Sequence, residues 1–237
     1  MLFRSVIAVL VCATLQAQQN PTALVKRFKE EPVFYRQFDI AKQIVAMHNP
    51  SVLHELKPFL SHADRHVRGN AAFVFAGLGD RTGFDVIVAI VKDDSADRTR
   101  WPPQGGSGDG RNVPAYQPIA QQITEDRYFA IHLLGELKDR RAIPILLPLL
   151  SDPDVDYTIA WALGEIGGDE ALDGLLLALR SPNPQVRIYA IESIQKLDAK
   201  RAIPQLRGLT NDHAKAKSGQ QETVSEAAQR AIAALEK

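Results

Sequence analysis

Cysteine is nearly absent from this 237-residue sequence, since Cys12 is the only one. It lies in a short apolar run, residues 6–13, which follows Arg4. A positive residue, a short apolar run and then a small residue such as Ala17 are typical of a secretory signal peptide. We therefore predict a signal peptide over residues 1–17 and a periplasmic or secreted protein. The mature chain would have no disulfide, no thiol nucleophile and no cysteine-ligated zinc.

An excess of charge of one sign is also lacking, because 28 basic residues balance 28 acidic residues. Proteins that bind nucleic acid normally carry a basic surplus that neutralises phosphates, so we predict no nucleic-acid partner. The apolar run near the N-terminus is shorter than the roughly 20 residues that a membrane span requires. We therefore predict that the protein is not an integral membrane protein.

The sequence repeats itself at intervals of about 30 residues, which is the signature of stacked helix pairs. Arg-Ala-Ile-Pro occurs at residues 141–144 and again at 201–204, and Leu-Gly-Glu occurs at 134–136 and again at 163–165. Each unit has two segments with apolar residues at helical spacing, separated by a turn rich in helix-breaking residues. We predict an all-α solenoid of about six antiparallel pairs. Their ranges are 21–48, 51–79, 81–137, 139–167, 169–197 and 199–237.

The second helix of the pairs, helix B, carries a Val-Arg-x-x-Ala pattern, as at residues 67–71 and 186–190. These residues resemble the short HEAT repeat named after phycobilisome lyases, whose helix B reads Asp-x-x-Val-Arg-x-x-Ala-x-x-x-Leu-Gly. The resemblance extends over about residues 60–210. It implies that the B helices line the concave surface of the solenoid.

Pair three is longer than the other pairs because it contains an insertion. Residues 95–124 are rich in glycine and proline, which exclude regular structure. We therefore predict a long loop within a single repeat domain that spans residues 18–237. A smaller insertion, residues 211–221, occupies the same turn of pair six. Loops of this length are usually functional or unstructured, and Trp101 in the longer loop is a candidate partner contact.

Three positions on each B helix are predicted to form an exposed stripe, because they lie on the same side of the helix. In pairs three and four these positions are aromatic, histidine or acidic residues, and aromatic anchors ringed by charge are typical of binding hot spots. Together with Trp101, the predicted partner-binding residues are Phe73, Tyr128, His132, Glu136, Tyr157, Trp161 and Glu165. The alternative is that these rings only thicken the core between neighbouring helices.

One more position of helix B is charged in four of the pairs. It is arginine in three of them, Arg68, Arg127 and Arg187, and aspartate in pair four, Asp156. We predict a structural ladder in which Asp156 lies between the arginines of the neighbouring pairs. Removal of Asp156 would then leave partly buried cations uncompensated.

Catalytic motifs are missing, because the sequence has neither a nucleophilic triad nor a phosphate-binding loop. His62 and His66, with Asp64 between them, have a spacing that can bind zinc on a helix. They span a turn and a helix start, so we favour solvated side chains over a metal site. We therefore predict no catalytic residues, no metal, no cofactor and no enzymatic activity.

Two functions are compatible with this pattern. We favour an exported, non-enzymatic scaffold that binds a protein or peptide on the concave helix-B face and the adjoining insert loops. The alternative is a bilin-lyase-like enzyme or a small-ligand-binding protein that uses the same face, since the resemblance implies handling of a tetrapyrrole or a similar ligand. Phycobilisome lyases work in the cytoplasm of phototrophs, which conflicts with a signal peptide. A structural segment of a larger envelope assembly is a third possibility.

Overall fold

Shorter and longer helices alternate along the chain. The structure, a computed structural model, describes residues 20–97, 99, 118–216 and 222–237. Within these ranges the helices are α-helical with short 3-10 segments, and the only extended pairing is an isolated bridge between Lys215 and Thr223. The predicted all-α solenoid of HEAT-like helix pairs is confirmed. The predicted signal peptide and Trp101 lie outside the described residues.

Residue contacts divide the chain into two units, Met1–Asp126 and Arg127–Lys237. Unit 1 contains α1 (Pro21–Glu30), α2 (Phe34–Ala46), α3 (Leu53–Leu56), α4 (Arg65–Gly77), α5 (Arg81–Val91) and the first part of α6 (Ile119–Leu137). Unit 2 contains the rest of α6 and α7 (Ile143–Leu146), α8 (Asp156–Ile166), α9 (Asp169–Ala178), α10 (Pro184–Lys196), α11 (Ile203–Arg207) and α12 (Val224–Leu235). The B helices are α2, α4, α6, α8, α10 and α12. Because α6 begins at Ile119, residues 119–124 of the predicted loop are helical.

Proline shortens the first helices of pairs two and four. Both α3 and α7 have only four α-helical residues, and the 3-10 segments Lys57–Ser61 and Leu147–Ser151 continue them. Pro58 and Pro148 occupy the second position of these segments. A proline ring has no N–H and clashes with the carbonyl four residues back, so the regular α-helix cannot continue through it.

The first five B helices are followed by a residue in the left-handed conformation. These residues are His48, Gly79, Lys138, Gly167 and Asp198, with φ between 49° and 89°. In this conformation the N–H group turns back to a carbonyl of the last helical turn, as Lys138 does to Gly135 at 3.0 Å. Four of these repeats therefore end helix B with the same turn, whereas Gly167 has a ψ of −172° and bonds four residues back to Leu163.

Each unit has its own apolar core between neighbouring helices. Phe28, Leu56 and Ile87 are fully buried in unit 1, and Leu133 and Ile159 are fully buried in unit 2. Burial of such side chains stabilises the fold by roughly 1.5–3 kcal/mol each. Packing between repeats therefore supplies stability in a chain with one cysteine. Among the described helices, none combines the length and the apolar character needed to cross a membrane.

Candidate functional site

Three tyrosines of unit 2, here called the tyrosine row, come from three successive B helices. They are Tyr128 on α6, Tyr157 on α8 and Tyr189 on α10. The ring centroids are 5.9 Å apart for Tyr128 and Tyr157, and 5.6 Å apart for Tyr157 and Tyr189. Tyr128 is 40% exposed, and the other two are half-buried. The row thus forms a continuous aromatic strip across unit 2.

Tyr189 was not predicted from the sequence, because the repeat spacing places Ile188 at the exposed position. Ile188 is instead completely buried. Neighbouring residues of a helix point about 100° apart, so a small rotation of α10 exchanges which of the two faces outward. The only sequence feature that could have indicated Tyr189 as a site residue is its aromatic side chain, one residue from the expected position.

The tyrosine hydroxyls are neutral hydrogen-bonding groups. Burial raises the pKa of Tyr128, and nearby Tyr157 and Tyr189 raise it further. Burial also raises the pKa of Tyr157. Within the described part of the chain, the hydroxyls of Tyr128 and Tyr189 have no hydrogen-bond partner. The row therefore offers aromatic rings together with hydroxyl groups that can donate or accept.

His132 and Trp161, one helical turn beyond the row, pack against each other. Their rings are stacked with centroids 4.4 Å apart and planes 17° apart. Gly135 leaves room for the Trp161 ring, because a Cβ atom at this position would lie only 2.6 Å from the ring. Both rings are half-buried. The predicted binding residues His132 and Trp161 thus also serve as packing between α6 and α8, as the alternative interpretation expected.

The acidic residues of the predicted site lie close to basic side chains. Glu136 lies 3.7 Å from Nε2 of His132. Glu165 forms ion pairs with Lys196 and, at 4.0 Å, with Lys138. Charged side chains therefore lie in the last turns of the three B helices, whereas the tyrosine row lies about two helical turns closer to their N-termini.

Another acidic residue of unit 2 is Glu192 of α10, which is half-buried. Burial raises its pKa, and Arg230, 3.8 Å away, opposes that shift. Arg230 also bonds to both carboxylate oxygens of Glu222, at 3.0 and 3.1 Å. Because its charge is shared between two carboxylates, Glu192 is only partly compensated. It was not among the predicted site residues.

The arginines of the predicted ladder pair with aspartates, although not with Asp156. Each arginine lies within 4.0 Å of the aspartate 25 residues further along the chain, at the start of the turn that follows the next A helix. The pairs are Arg68 with Asp93 (4.0 Å), Arg127 with Asp152 (2.7 Å) and Arg187 with Asp212 (2.9 Å). Arg68 and Arg187 also donate to the carbonyls of His62 and Ser181, both at 2.6 Å.

Asp156 has different partners from those predicted. Its carboxylate accepts hydrogen bonds from Nδ2 of Asn183 at 3.1 and 3.3 Å, and from the backbone N–H of Tyr157 at 2.7 Å. Burial raises the pKa of Asp156, and the nearby Asp152 and Asp154 raise it further. The ladder prediction is therefore corrected: arginine side chains reach forward to the next turn, and Asp156 is bound by an amide.

Phe73 does not lie on an exposed face. It is 5% exposed and packs edge-on against Phe38 of α2 in unit 1, with ring centroids 4.9 Å apart. The prediction of Phe73 as a partner contact is therefore wrong, because α4 turns this position toward α2. In the same unit, His66 is buried and stacks on Phe34 with centroids 4.2 Å apart. Its Nδ1 lies 3.6 Å from both Asp64 and Asp126.

Two open clefts of unit 2 lie away from the tyrosine row. One of about 300 Å³ is lined by Leu172, Leu197 and Arg201, among others. The other, of about 400 Å³, lies between Leu147 and Leu177. Neither cleft contains a predicted site residue, so the tyrosine row and its neighbours remain the candidate functional site.

Comparisons with known proteins agree with this architecture. Residues 120–181 match the family model described as HEAT repeats. The fold and this match identify HEAT repeats over residues 120–181. Two relatives support the predicted resemblance to the repeats of phycobilisome lyases.

Two relatives carry names connected with phycocyanin. The chain is 37% identical over 102 residues to phycocyanobilin lyase subunit alpha of Picosynechococcus sp., which covers 37% of this chain and 38% of that protein. It is 38% identical over 88 residues to the uncharacterized phycocyanin operon protein Y of Pseudanabaena tenuis, covering 35% and 20%. The chain thus spans well under half the length of these relatives.

The crystal structures of two engineered proteins also align with this chain at 17% identity. One covers 91% of this chain and 96% of its own, with a TM-score of 0.44. The other covers 90% and 57%, with a TM-score of 0.45.

These relatives contradict three predictions. A non-enzymatic scaffold was favoured, yet one relative is named as a lyase subunit and the other as a phycocyanin operon protein, which favours the alternative interpretation. The prediction of no enzymatic activity is contradicted for the same reason. The periplasmic or secreted location is also contradicted, because the lyases that this chain resembles work in the cytoplasm.

Proposed function

We propose that this chain is a subunit of a bilin-lyase-like enzyme and takes part in the handling of a phycobilin, a linear tetrapyrrole. The observation that carries this proposal is the 37% identity to phycocyanobilin lyase subunit alpha. The second relative, a phycocyanin operon protein, supports the same process.

The B-helix face of unit 2 suits such a ligand chemically. A linear tetrapyrrole is a conjugated, largely apolar chain of rings that carries carboxylate groups. Sites for ligands of this kind are mostly apolar and aromatic, with a few polar groups that fix orientation. We propose Tyr128, Tyr157 and, at the edge of the face, His132 and Trp161 as ligand contacts. Glu136 and Glu165, with their basic neighbours, would border the site.

A second polypeptide is part of the proposal, since the lyase relative is named as a subunit. We propose that the partner of this chain is another subunit of the same enzyme. The single repeat domain predicted for residues 18–237, with its loop insertion, likewise remains a proposal.

Ligand binding is the first test. Purified chain is titrated with phycocyanobilin, and visible absorption is recorded, because a bilin held in a protein changes its conformation and hence its spectrum. We expect a saturable spectral change, with hemin, a closed tetrapyrrole, giving a weaker one. No spectral change with phycocyanobilin at millimolar concentration would contradict the proposal.

Attachment chemistry is the second part of this test. The chain is mixed with phycocyanobilin, apophycocyanin and a candidate second subunit, and pigment that survives denaturing electrophoresis is measured. We expect bound pigment only when both polypeptides are present. Equal amounts of bound pigment without this chain would show that it has no role in the reaction.

A further inference from the structure

The tyrosine row is the part of the candidate site that is left open. His132 and Trp161 are stacked on each other. The end of the face beyond them carries Glu136, which lies close to His132, and Glu165, which is ion-paired with Lys196. Tyr128, by contrast, is 40% exposed, which is the highest value among the large apolar or aromatic side chains of the three B helices that form the face. A ligand on this face therefore meets the tyrosines first.

We propose that the tyrosine row, Tyr128, Tyr157 and Tyr189, is the binding site for the conjugated chain of a linear tetrapyrrole. This inference rests on the function proposed above and adds the residues that carry binding, including Tyr189, which was not predicted to contact a ligand. The ligand lies across three successive helices, with its rings against those of the tyrosines.

The spacing of the tyrosine rings fits a ligand made of linked rings. Successive centroids are 5.9 and 5.6 Å apart, within the range of about 4.5–7 Å at which aromatic rings contact each other. The pyrroles of a bilin are joined by one-carbon bridges, so several rings follow one another at a comparable interval. The planes of neighbouring tyrosines differ by 45° and 40°, which suits a bilin that twists at its bridges.

The hydroxyl groups supply the polar contacts. A linear tetrapyrrole ends in a carbonyl at each terminal ring and carries propionate groups, all of which accept hydrogen bonds. Burial keeps the tyrosines of α6 and α8 protonated by raising the pKa of each. At both ends of the row, on Tyr128 and Tyr189, the hydroxyl is available as a donor within the part of the chain that the structure describes.

The test compares tyrosine variants of the full chain in the phycocyanobilin titration. Tyr128→Leu and Tyr189→Leu, alone and together, remove end rings, whereas the central Tyr157 is kept because it contacts both neighbours. The matched control is Tyr35→Leu on α2, since Tyr35 is 43% exposed and lies in unit 1. Far-UV circular dichroism and thermal melting verify that each variant folds.

We expect each single variant to weaken phycocyanobilin binding by about tenfold and the double variant to weaken it further, with Tyr35→Leu unchanged. If the wild type binds phycocyanobilin and the row variants bind equally well, the tyrosine row is not the binding site, while the proposed function stands. If the wild type binds no bilin, both are wrong. Should the leucine variants not fold, Tyr128→Met with Tyr189→Met, which also removes the rings but keeps long apolar side chains, decides, and an unchanged affinity would overturn the proposal.

Discussion

The B helices of the two units use aromatic residues in opposite ways. In unit 1, Phe73 packs edge-on against Phe38, and His66 stacks under Phe34, so the rings lie between helices. In unit 2, the tyrosine row lies side by side across the helices, and Tyr128 is 40% exposed. The same repeat therefore packs aromatic rings between two B helices in one place and in a row across three B helices in another.

Polar groups show the same contrast. Between α2 and α4 of unit 1, Asn70 is completely buried and donates to Phe34 O and to Oε1 of Gln37, both at 2.8 Å. Gln37 in turn donates to Phe28 O at 3.0 Å. In unit 2, Oγ of Ser193 on α10 donates to Ala160 O on α8, at 3.0 Å. Unit 1 thus links its B helices through buried amides, and unit 2 through a buried hydroxyl group.

The largest effect on stability is expected from removing the buried amide side chain of Asn70 in unit 1. Asn70→Ala leaves the amide oxygen of Gln37 and the carbonyl of Phe34 buried without this donor, and an unsatisfied buried polar group costs about 1–3 kcal/mol. We expect a loss of about 3 kcal/mol in the free energy of unfolding, measured by denaturant titration. Gln43→Ala is the control, because Gln43 is exposed and bonds only within its own helix. Equal stability of the two variants would show that the network does not hold unit 1.

A smaller loss is expected from Gly135→Ala in unit 2. A Cβ atom at this position would lie 2.6 Å from the Trp161 ring and 3.1 Å from Cα of Ala162. Overpacking of this kind costs about 1–3 kcal/mol, whereas helix propensity alone would make alanine stabilising by about 0.5–1 kcal/mol. We expect the variant to be about 2 kcal/mol less stable, with altered Trp161 fluorescence. In a Trp161→Leu background the penalty should shrink; an undiminished penalty would mean that the backbone contact dominates.

Sequence reasoning reached the fold more completely than the site, for a physical reason. Repeat period, turn residues and the Val-Arg-x-x-Ala pattern are local, and they led to the helix pairs. Phe73 and Tyr189 depend on the rotation of one helix against the next, which a shared repeat position does not determine. The fixed offset failed where α4 and α10 turn differently, whereas on α6 and α8 it corresponds to an exposed Tyr128 and a half-buried Tyr157.

The arginine position shows a related limit. A ladder between neighbouring B helices was expected because the charges align at one repeat position. An arginine side chain is long enough to reach past that position, and Arg127 and Arg187 bond to the turns that begin at Asp152 and Asp212. Those aspartates also fix their own turns by accepting backbone N–H groups at 3.1 Å. Only the three-dimensional course of the turns reveals these pairs.

The smallest effect on stability is expected at the same repeat position of helix B. It is arginine in three pairs, including Arg68 in unit 1, and aspartate in pair four, Asp156 in unit 2. Burial raises the folded-state pKa of Asp156 above its unfolded value, so the folded protein binds the proton more tightly. The corresponding stability is present at pH values below the unfolded pKa and is lost as pH rises through the folded pKa. Asparagine at this position does not ionise, so Asp156→Asn acquires no buried charge. The variant should melt a few degrees higher than the wild type at pH 7.

Melting curves of Asp156→Asn and wild type between pH 3 and pH 8 measure this difference. The difference between the melting temperatures of the variant and the wild type should be smallest at pH 3. It should increase as pH rises, because only the wild type acquires a buried charge. The control is Asp154→Asn, since Asp154 is exposed in the same turn. If Asp156→Asn were less stable than the wild type at pH 7, the carboxylate would be compensating cations as the ladder hypothesis required, and the contrast with Arg68 would disappear.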